Sequence, residues 1–195
     1  PRKSQWIVLL IFSYLYYIAG GPRYVVFILF STLVTWLMAL LIEKAEGKEN
    51  HKGARKLLIL GLILNFGMLG IVKYTNFAVE NINALLHLNL RGIQLLLPLG
   101  ISFYTFQSSG YLLDVYWKRC KAERHPLKYA LFVSFFPQIL QGPIGRYSRL
   151  ADQLYAEHRF EGNNIIRGFE RILWGFFKKM ILADWAAAFA DAIFE

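Results

Sequence analysis

Residues 97–107 read LPLGISFYTFQ, an apolar run that is interrupted by Pro98 and Gly100 and then becomes aromatic and polar. Inside a bilayer, irregular backbone and polar side chains are tolerated only where protein or a wet cavity surrounds them. The structure of this stretch therefore depends on the medium around it. The residues on both sides indicate that this medium is a membrane.

The apolar residues of the chain are gathered into long windows of low charge. The 195 residues are 56% hydrophobic and 16% aromatic. Several windows reach or approach the roughly 20 residues that a helix needs to cross a bilayer core. We predict an all-α fold, a polytopic integral membrane helix bundle, with residues 1–195 forming a single membrane domain. Its predicted membrane segments are residues 6–20, 24–42, 57–75, 93–117 and 127–145.

The net charge of +9 is concentrated in loops. Residues 43–56 contain five Lys or Arg, residues 118–128 contain another five, and Arg2 and Lys3 precede the first segment. If successive segments alternate in direction, the N-terminus and both basic loops share one face, which the positive-inside rule makes cytoplasmic. This distribution predicts membrane lipid as a partner and gives no indication of nucleic-acid binding.

Polar residues share one face of a helix predicted over residues 102–117. They are spaced by three, four and three positions, so they form a stripe less than a quarter-turn wide. Lipid would leave their polar groups unsatisfied, so the stripe should face protein or a wet cavity. Polar contacts between helices, without a cavity, are the alternative. The stripe is Tyr104, Gln107, Tyr111 and Asp114, and Ser102 is a further cavity candidate at the start of the helix.

Residues 134–147, SFFPQILQGPIGRY, contain two prolines and two glycines within an apolar context. These residues exclude an unbroken helix and predict a kinked or re-entrant element that lies beside residues 97–107, both lining one cavity. Gln138 and Arg146 are the residues expected to face it. Alternatively, the segment ends here near the interface and Arg146 extends toward water.

Residues 163–182 form a predicted amphipathic helix, with apolar residues at three- and four-residue spacing and with Asn163 or Asn164 able to cap its start. Such a helix lies in the membrane interface or packs along a bundle. Docking of a partner protein is the alternative reading.

Other chemical motifs are missing from the sequence. No two of the four histidines are close enough to suggest a metal site, and no phosphate-binding loop or nucleophile elbow occurs. The single Cys120 cannot form an internal disulfide and is expected to be an inert thiol, with reversible acylation as the alternative. No residue stands out as a catalytic base.

Four stretches nevertheless carry a resemblance. Residues 97–116, LPLGISFYTFQSSGYLLDVY, and 132–154, FVSFFPQILQGPIGRYSRLADQL, resemble the membrane-bound O-acyltransferase family. The similarity is greatest to the branch that contains the membrane subunit of bacterial alginate O-acetyltransferase. Residues 13–37, SYLYYIAGGPRYVVFILFSTLVTWL, and 168–184, GFERILWGFFKKMILAD, fit the same branch.

The resemblance implies a bacterial cytoplasmic-membrane enzyme with a tunnel through it. It would move an acyl group, with acetyl favoured, from a cytoplasmic thioester such as acetyl-CoA to an exported polysaccharide or cell-envelope acceptor. It also implies an extracytoplasmic acyltransferase partner, no bound cofactor, and a catalytic histidine expected beyond Glu195. We therefore expect an N-terminal or central fragment that is inactive alone. A non-catalytic membrane scaffold and a transporter or channel subunit are the alternatives.

Overall fold

The computed structural model describes residues 4–86, 97–140 and 142–194, and the regular structure among them is entirely helical, as the sequence predicts. The chain divides into two compact units, Pro1–Glu157 and His158–Glu195. The first unit contains α1 (Gln5–Ala19), a 3-10 turn (Pro22–Tyr24), α2 (Val25–Glu46), α3 (His51–Leu86), α4 (Ile101–Tyr116), α5 (Pro126–Ser134) and α6 (Tyr147–Tyr155). The second contains α7 (Gly162–Phe177), a π-helix (Lys178–Ala183) and α8 (Asp184–Phe194).

Two of the described helices are long and apolar enough to cross a membrane, Pro22–Glu46 and His51–Leu86, and α1 is a shorter apolar helix. The fourth and fifth predicted segments yield helices of 16 and nine residues. Residues 93–96 of the fourth segment lie outside the described residues. Two of the five predicted segments thus have spanning length, and the number of crossings stays a prediction.

A helix–helix connection lies within the charged residues 43–56, as expected, but it is shorter than that stretch, because α2 continues to Glu46 and α3 begins at His51. Glu49 takes a positive φ of 56°, which reverses the chain. Asn50 then accepts a hydrogen bond from the Gly53 N–H on its Oδ1 at 2.9 Å, as an N-cap side chain does. Helix α3 also continues to Leu86, eleven residues beyond the end of the predicted segment at residue 75.

A buried amide joins α2 to α3. Asn65 accepts a hydrogen bond from Ser31 Oγ at 2.6 Å, and its Nδ2 donates to Thr35 Oγ1 and to the Gly61 carbonyl, both at 3.0 Å. Asn65 is 1% exposed, so these partners replace the water that its amide would otherwise bind. Sequence patterns do not single out this residue, because both of its side-chain partners lie on another helix.

Three chain segments meet at one end of the first unit, which we call the basic end. The Trp36 indole N–H donates to the Glu123 carbonyl at 2.9 Å, and Lys118 Nζ lies 3.1 Å from Glu46 Oε2. The ring of Trp6, at the start of α1, lies 5.4 Å from that of His125. The shared face of the N-terminal region and both basic loops is therefore confirmed, whereas its cytoplasmic side stays a prediction.

The second unit differs in detail from the predicted helix over residues 163–182. Helix α7 starts one residue earlier, at Gly162, with Glu161 in the N-cap position, and no side chain caps it. Capping by Asn163 or Asn164 is therefore wrong, because both residues lie inside the helix; Asn164 Nδ2 instead donates to Glu161 Oε2 at 3.0 Å. The π-helix from Lys178 interrupts the α-helical register, and no residue of α7 is buried.

Candidate functional site: a cavity beside a folded-back segment

Residues 135–140 and 142–146 leave the helical path, and we call them the folded-back segment. Helix α5 ends at Ser134, and the Phe135 carbonyl accepts hydrogen bonds from the next turn, from the N–H of Gln138 at 3.0 Å and of Ile139 at 3.2 Å. The chain then returns to the basic end, where Tyr147 Oη donates to Glu123 Oε2 at 2.6 Å. The expected break in the helix is confirmed; Gln141 lies outside the described residues.

The folded-back segment touches the stretch of residues 97–107 at Gly100. Gly100 has a φ of +68°, a conformation that side chains with a Cβ adopt at a cost. A Cβ built at this position would lie 2.2 Å from the Ile139 carbonyl oxygen. Both the backbone conformation and the close approach therefore require glycine. The predicted contact between the two proline- and glycine-containing stretches is present.

The polar stripe on α4 is buried in the protein. Tyr104, Gln107, Tyr111 and Asp114 are 0%, 7%, 1% and 8% exposed. Gln107 Nε2 donates to the Phe132 carbonyl at 3.0 Å, and Tyr111 Oη accepts from the Glu123 N–H at 2.8 Å. The stripe faces the interior, as the cost of placing these groups in lipid predicts.

A cavity of about 230 Å³, which we call the α4 cavity, lies between α4 and the end of the folded-back segment. Four of the seven candidate residues line it, namely Gln107, Tyr111, Asp114 and Arg146. Trp117 and Arg119, from the basic end, line it as well. The other three candidates do not. Tyr104 lies next to Tyr17 of α1, Ser102 is half-buried near the opposite end of α4, and Gln138 lines a neighbouring cavity. The candidates thus form one group of four residues rather than one of seven.

The charges in the α4 cavity are unevenly paired. Asp114 Oδ1 lies 3.6 Å from Arg119 Nη1, so these two charges offset each other. Arg146 is exposed and has no carboxylate within 4.0 Å among the described residues. An arginine that faces a cavity without an acidic partner is suited to bind a phosphate or carboxylate group.

Sequence reasoning missed the residues that hold this arrangement together. The rings of Tyr129 and Tyr147 lie 4.7 Å and 4.8 Å from that of Tyr111, and Phe132 lies 5.0 Å from Tyr147. Half-buried Glu123 bonds to Tyr147 through its side chain and to Tyr111 through its backbone. No local spacing signals this cluster, because its members come from three helices and a loop.

The described residues place no evident catalytic base in the α4 cavity. No group of three or more His, Cys, Asp or Glu side chains in this part of the chain could hold a metal ion. His51 pairs with Glu46, and His125 is the N-cap residue of α5. The cavity contains the buried amide of Gln107, the phenol of Tyr111, the ion pair of Asp114 with Arg119, and the unpaired Arg146. These groups can bind and orient a substrate.

Comparison with characterised proteins gives consistent matches. The chain is 35% identical, over 99% of its length, to the probable alginate O-acetylase AlgI of Pseudomonas syringae pv. tomato and covers 38% of that protein. The corresponding protein of Pseudomonas aeruginosa is 34% identical over 99% of the chain, which covers 37% of it. The peptidoglycan O-acetyltransferase of Helicobacter pylori is 33% identical over 97% of the chain, which covers 40% of it.

The chain therefore spans about two-fifths of the length of these relatives. No family profile matches it, and no solved structure does. The matches include nearly every residue of the chain and thus the stretches on both sides of the α4 cavity. Over these 195 residues the chain is similar to proteins named as alginate O-acetylases and to one named as a peptidoglycan O-acetyltransferase, which agrees with the resemblance found in the sequence.

Proposed function

We propose that the protein containing these residues is a multi-pass membrane O-acyltransferase. It transfers an acyl group, with acetyl favoured, from a cytoplasmic thioester donor to a hydroxyl of an exported polysaccharide or another cell-envelope acceptor. The observation that carries the proposal is the similarity along 99% of the chain to proteins named as alginate O-acetylases, together with that to a peptidoglycan O-acetyltransferase.

The outer surface of the first unit supports a membrane location. Large apolar side chains are exposed along all three of its N-terminal helices, among them Val8, Phe12, Leu33, Ile63 and Ile71. Water would disfavour such a continuous apolar surface, whereas lipid chains would cover it. With the basic end toward the cytoplasm, as its Lys and Arg residues favour, the first unit crosses the membrane of a bacterial cell.

The position of the α4 cavity suggests the side from which the donor approaches. Trp117 and Arg119, which line it, follow the last residue of α4 at the basic end. In the proposed reaction the acceptor oxygen attacks the thioester carbonyl carbon, the carbon–sulfur bond breaks, and the hydroxyl proton leaves with the thiol. Arg146 binds negative charge on the donor, while Gln107 and Tyr111 shape the wall beside it.

Two parts of the mechanism would come from outside these residues. A histidine beyond residue 195 acts as the general base on the acceptor hydroxyl. An extracytoplasmic acyltransferase receives the acyl group where the final acceptor is a polymer outside the cell. Both parts follow from the family resemblance.

The test uses the full-length gene product in membrane vesicles. Vesicles with and without the protein are given radiolabelled acetyl-CoA on the cytoplasmic side, and alkali-labile acetyl ester is counted on added envelope polysaccharide. We expect label that depends on the protein. If no protein-dependent ester forms, but the vesicles accumulate labelled solute, the protein is a transporter. If neither occurs with the acceptor and a partner protein present, the scaffold reading replaces the enzyme.

A further inference from the structure

A second cavity, of about 330 Å³, lies on the folded-back segment and the start of α6, and we call it the arginine pocket. Arg146 and Arg149 line it together with Gln138, and the rest of its lining is uncharged. Arg146 is the N-cap residue of α6 and Arg149 lies three positions later, so both side chains leave the same side of the helix. The pocket thus has two positive charges and no carboxylate among its lining residues.

Both arginines lack an acidic partner in the part of the chain that the structure describes. Elsewhere at the basic end, Lys118, Arg119 and Arg124 each pair with a carboxylate. Asp152, the acidic residue nearest in sequence to Arg149, lines a different cavity. Two unpaired guanidinium groups that face one pocket favour an anion with several oxygen atoms, and phosphate matches their fork-shaped donors.

The N-terminus of α6, where both arginines lie, also favours a bound anion. Helix α6 has nine residues, no side chain caps its N-terminus, and its first turn contains no acidic residue. Free N–H groups and the helix dipole at such an end stabilise a bound anion.

The rim of the pocket is apolar and open. Ile144 is 55% exposed and Leu140, on the same segment, is 36% exposed, while Pro143 and Leu150 line the pocket itself. A free phosphate would leave this rim exposed to water, whereas a lipid would place its hydrocarbon chains against it. The combination therefore fits an amphipathic ligand with a phosphate at one end.

We propose that the arginine pocket binds an anionic phospholipid such as phosphatidylglycerol. The phosphate lies between Arg146 and Arg149 at the start of α6, and the acyl chains lie along Ile144 and Pro143. This site requires that the protein is in a membrane but not that it transfers acyl groups. Arg146 also lines the α4 cavity, so a bound lipid and the proposed donor would compete for its guanidinium, whereas Arg149 lines the arginine pocket without lining the α4 cavity.

The test is a lipid titration of the intact protein in neutral detergent, read by native mass spectrometry. The variant Arg146→Gln/Arg149→Gln is compared with Lys52→Gln/Arg55→Gln, which removes the same charge from exposed positions at the basic end. One basic side chain strengthens binding to an anionic lipid roughly fivefold, so losing both should weaken phosphatidylglycerol binding about 30-fold. The control pair should change it less than threefold, and phosphatidylcholine should bind all three proteins equally weakly.

Three outcomes would overturn the assignment. Equal phosphatidylglycerol binding by both double variants would show that general charge attraction is responsible. Equal binding of phosphatidylcholine and phosphatidylglycerol by the unaltered protein would exclude recognition of the anionic headgroup. Displacement of bound lipid by micromolar pyrophosphate would identify a soluble phosphate as the ligand. If the double variant does not fold, Arg149→Gln alone, on the exposed face of α6, should still weaken binding about fivefold.

Discussion

Gly100→Ala should destabilise the protein strongly, because two independent costs coincide at this position. The left-handed conformation at a φ of +68° costs a residue with a Cβ about 1–2 kcal/mol. The new Cβ would also lie 2.2 Å from the Ile139 carbonyl oxygen, so the folded-back segment must move by about 1 Å to restore van der Waals contact. Overpacking of this kind costs roughly 1–3 kcal/mol.

Together these costs amount to about 2–5 kcal/mol. A change of 1 kcal/mol shifts the melting temperature of a chain of this size by about 2–4 °C, so we expect a decrease of about 4–20 °C. The measurement is thermal unfolding of purified protein in detergent, followed by circular dichroism. Gly70→Ala is the matched control, since Gly70 lies within α3 and a Cβ there meets nothing within 4 Å.

The control should leave stability unchanged or raise it by up to about 1 kcal/mol, because alanine favours a helix more than glycine does. If Gly100→Ala melts within 2 °C of the unaltered protein, the close contact between the folded-back segment and the start of α4 is absent. The folded-back segment and α4 would then not form a common wall of the α4 cavity.

Three further predictions address the site, the core and the orientation. Arg146→Ala in the full-length protein should lower the proposed acyl transfer about tenfold or more while the amount of folded protein in the membrane stays the same, since the proposed charged hydrogen bond to the donor is lost. Asn65→Ala should cost about 1–3 kcal/mol of stability, because the buried hydroxyl of Ser31 loses its acceptor. In a Cys120→Ser background, a cysteine at exposed Lys121 should react with an impermeant maleimide only after the cells are permeabilised.

Each of these measurements has a control in the same chain. Arg55→Ala, an exposed position at the basic end, should leave transfer normal; normal transfer by Arg146→Ala as well would reduce Arg146 to an interfacial anchor. Loss of the Arg146 variant from the membrane would assign that residue a structural role. Asn81→Ala, on the exposed part of α3, should change stability by less than about 0.5 kcal/mol, and an equal effect at Asn65 would contradict the buried network.

The labelling experiment needs the new cysteine because the native thiol is a poor reporter. Burial, with the nearby Asp114 carboxylate, raises the pKa of Cys120 to about 11, so little thiolate exists at neutral pH and alkylation is slow. Its reaction rate should rise steadily as the pH increases toward 11. Labelling of the Lys121→Cys variant in sealed cells would place the basic end outside and would remove the argument for donor approach from that end.

Sequence reasoning was most successful where a feature depends on the backbone of a few neighbouring residues. The prolines and glycines of residues 134–147 exclude a regular helix in any tertiary context, and the structure has an irregular segment there. Sequence reasoning was least successful in predicting where helices begin and end. Asn50, which caps α3, stands in a charged stretch whose composition resembles a loop, and that stretch is helical except at residues 47–50.

The sequence by itself determined the helical class, the break after Ser134 and the polar face of α4, because these follow from allowed backbone angles and from a repeat of 100° per residue. Only the tertiary structure decided that Gly100 meets Ile139, that Asp114 pairs with Arg119 while Arg146 stays unpaired, and that Glu123 joins α4 to α6. Most of these contacts link residues that are far apart in the chain. Their geometry depends on how helices pack side by side, which no local preference of the residues encodes.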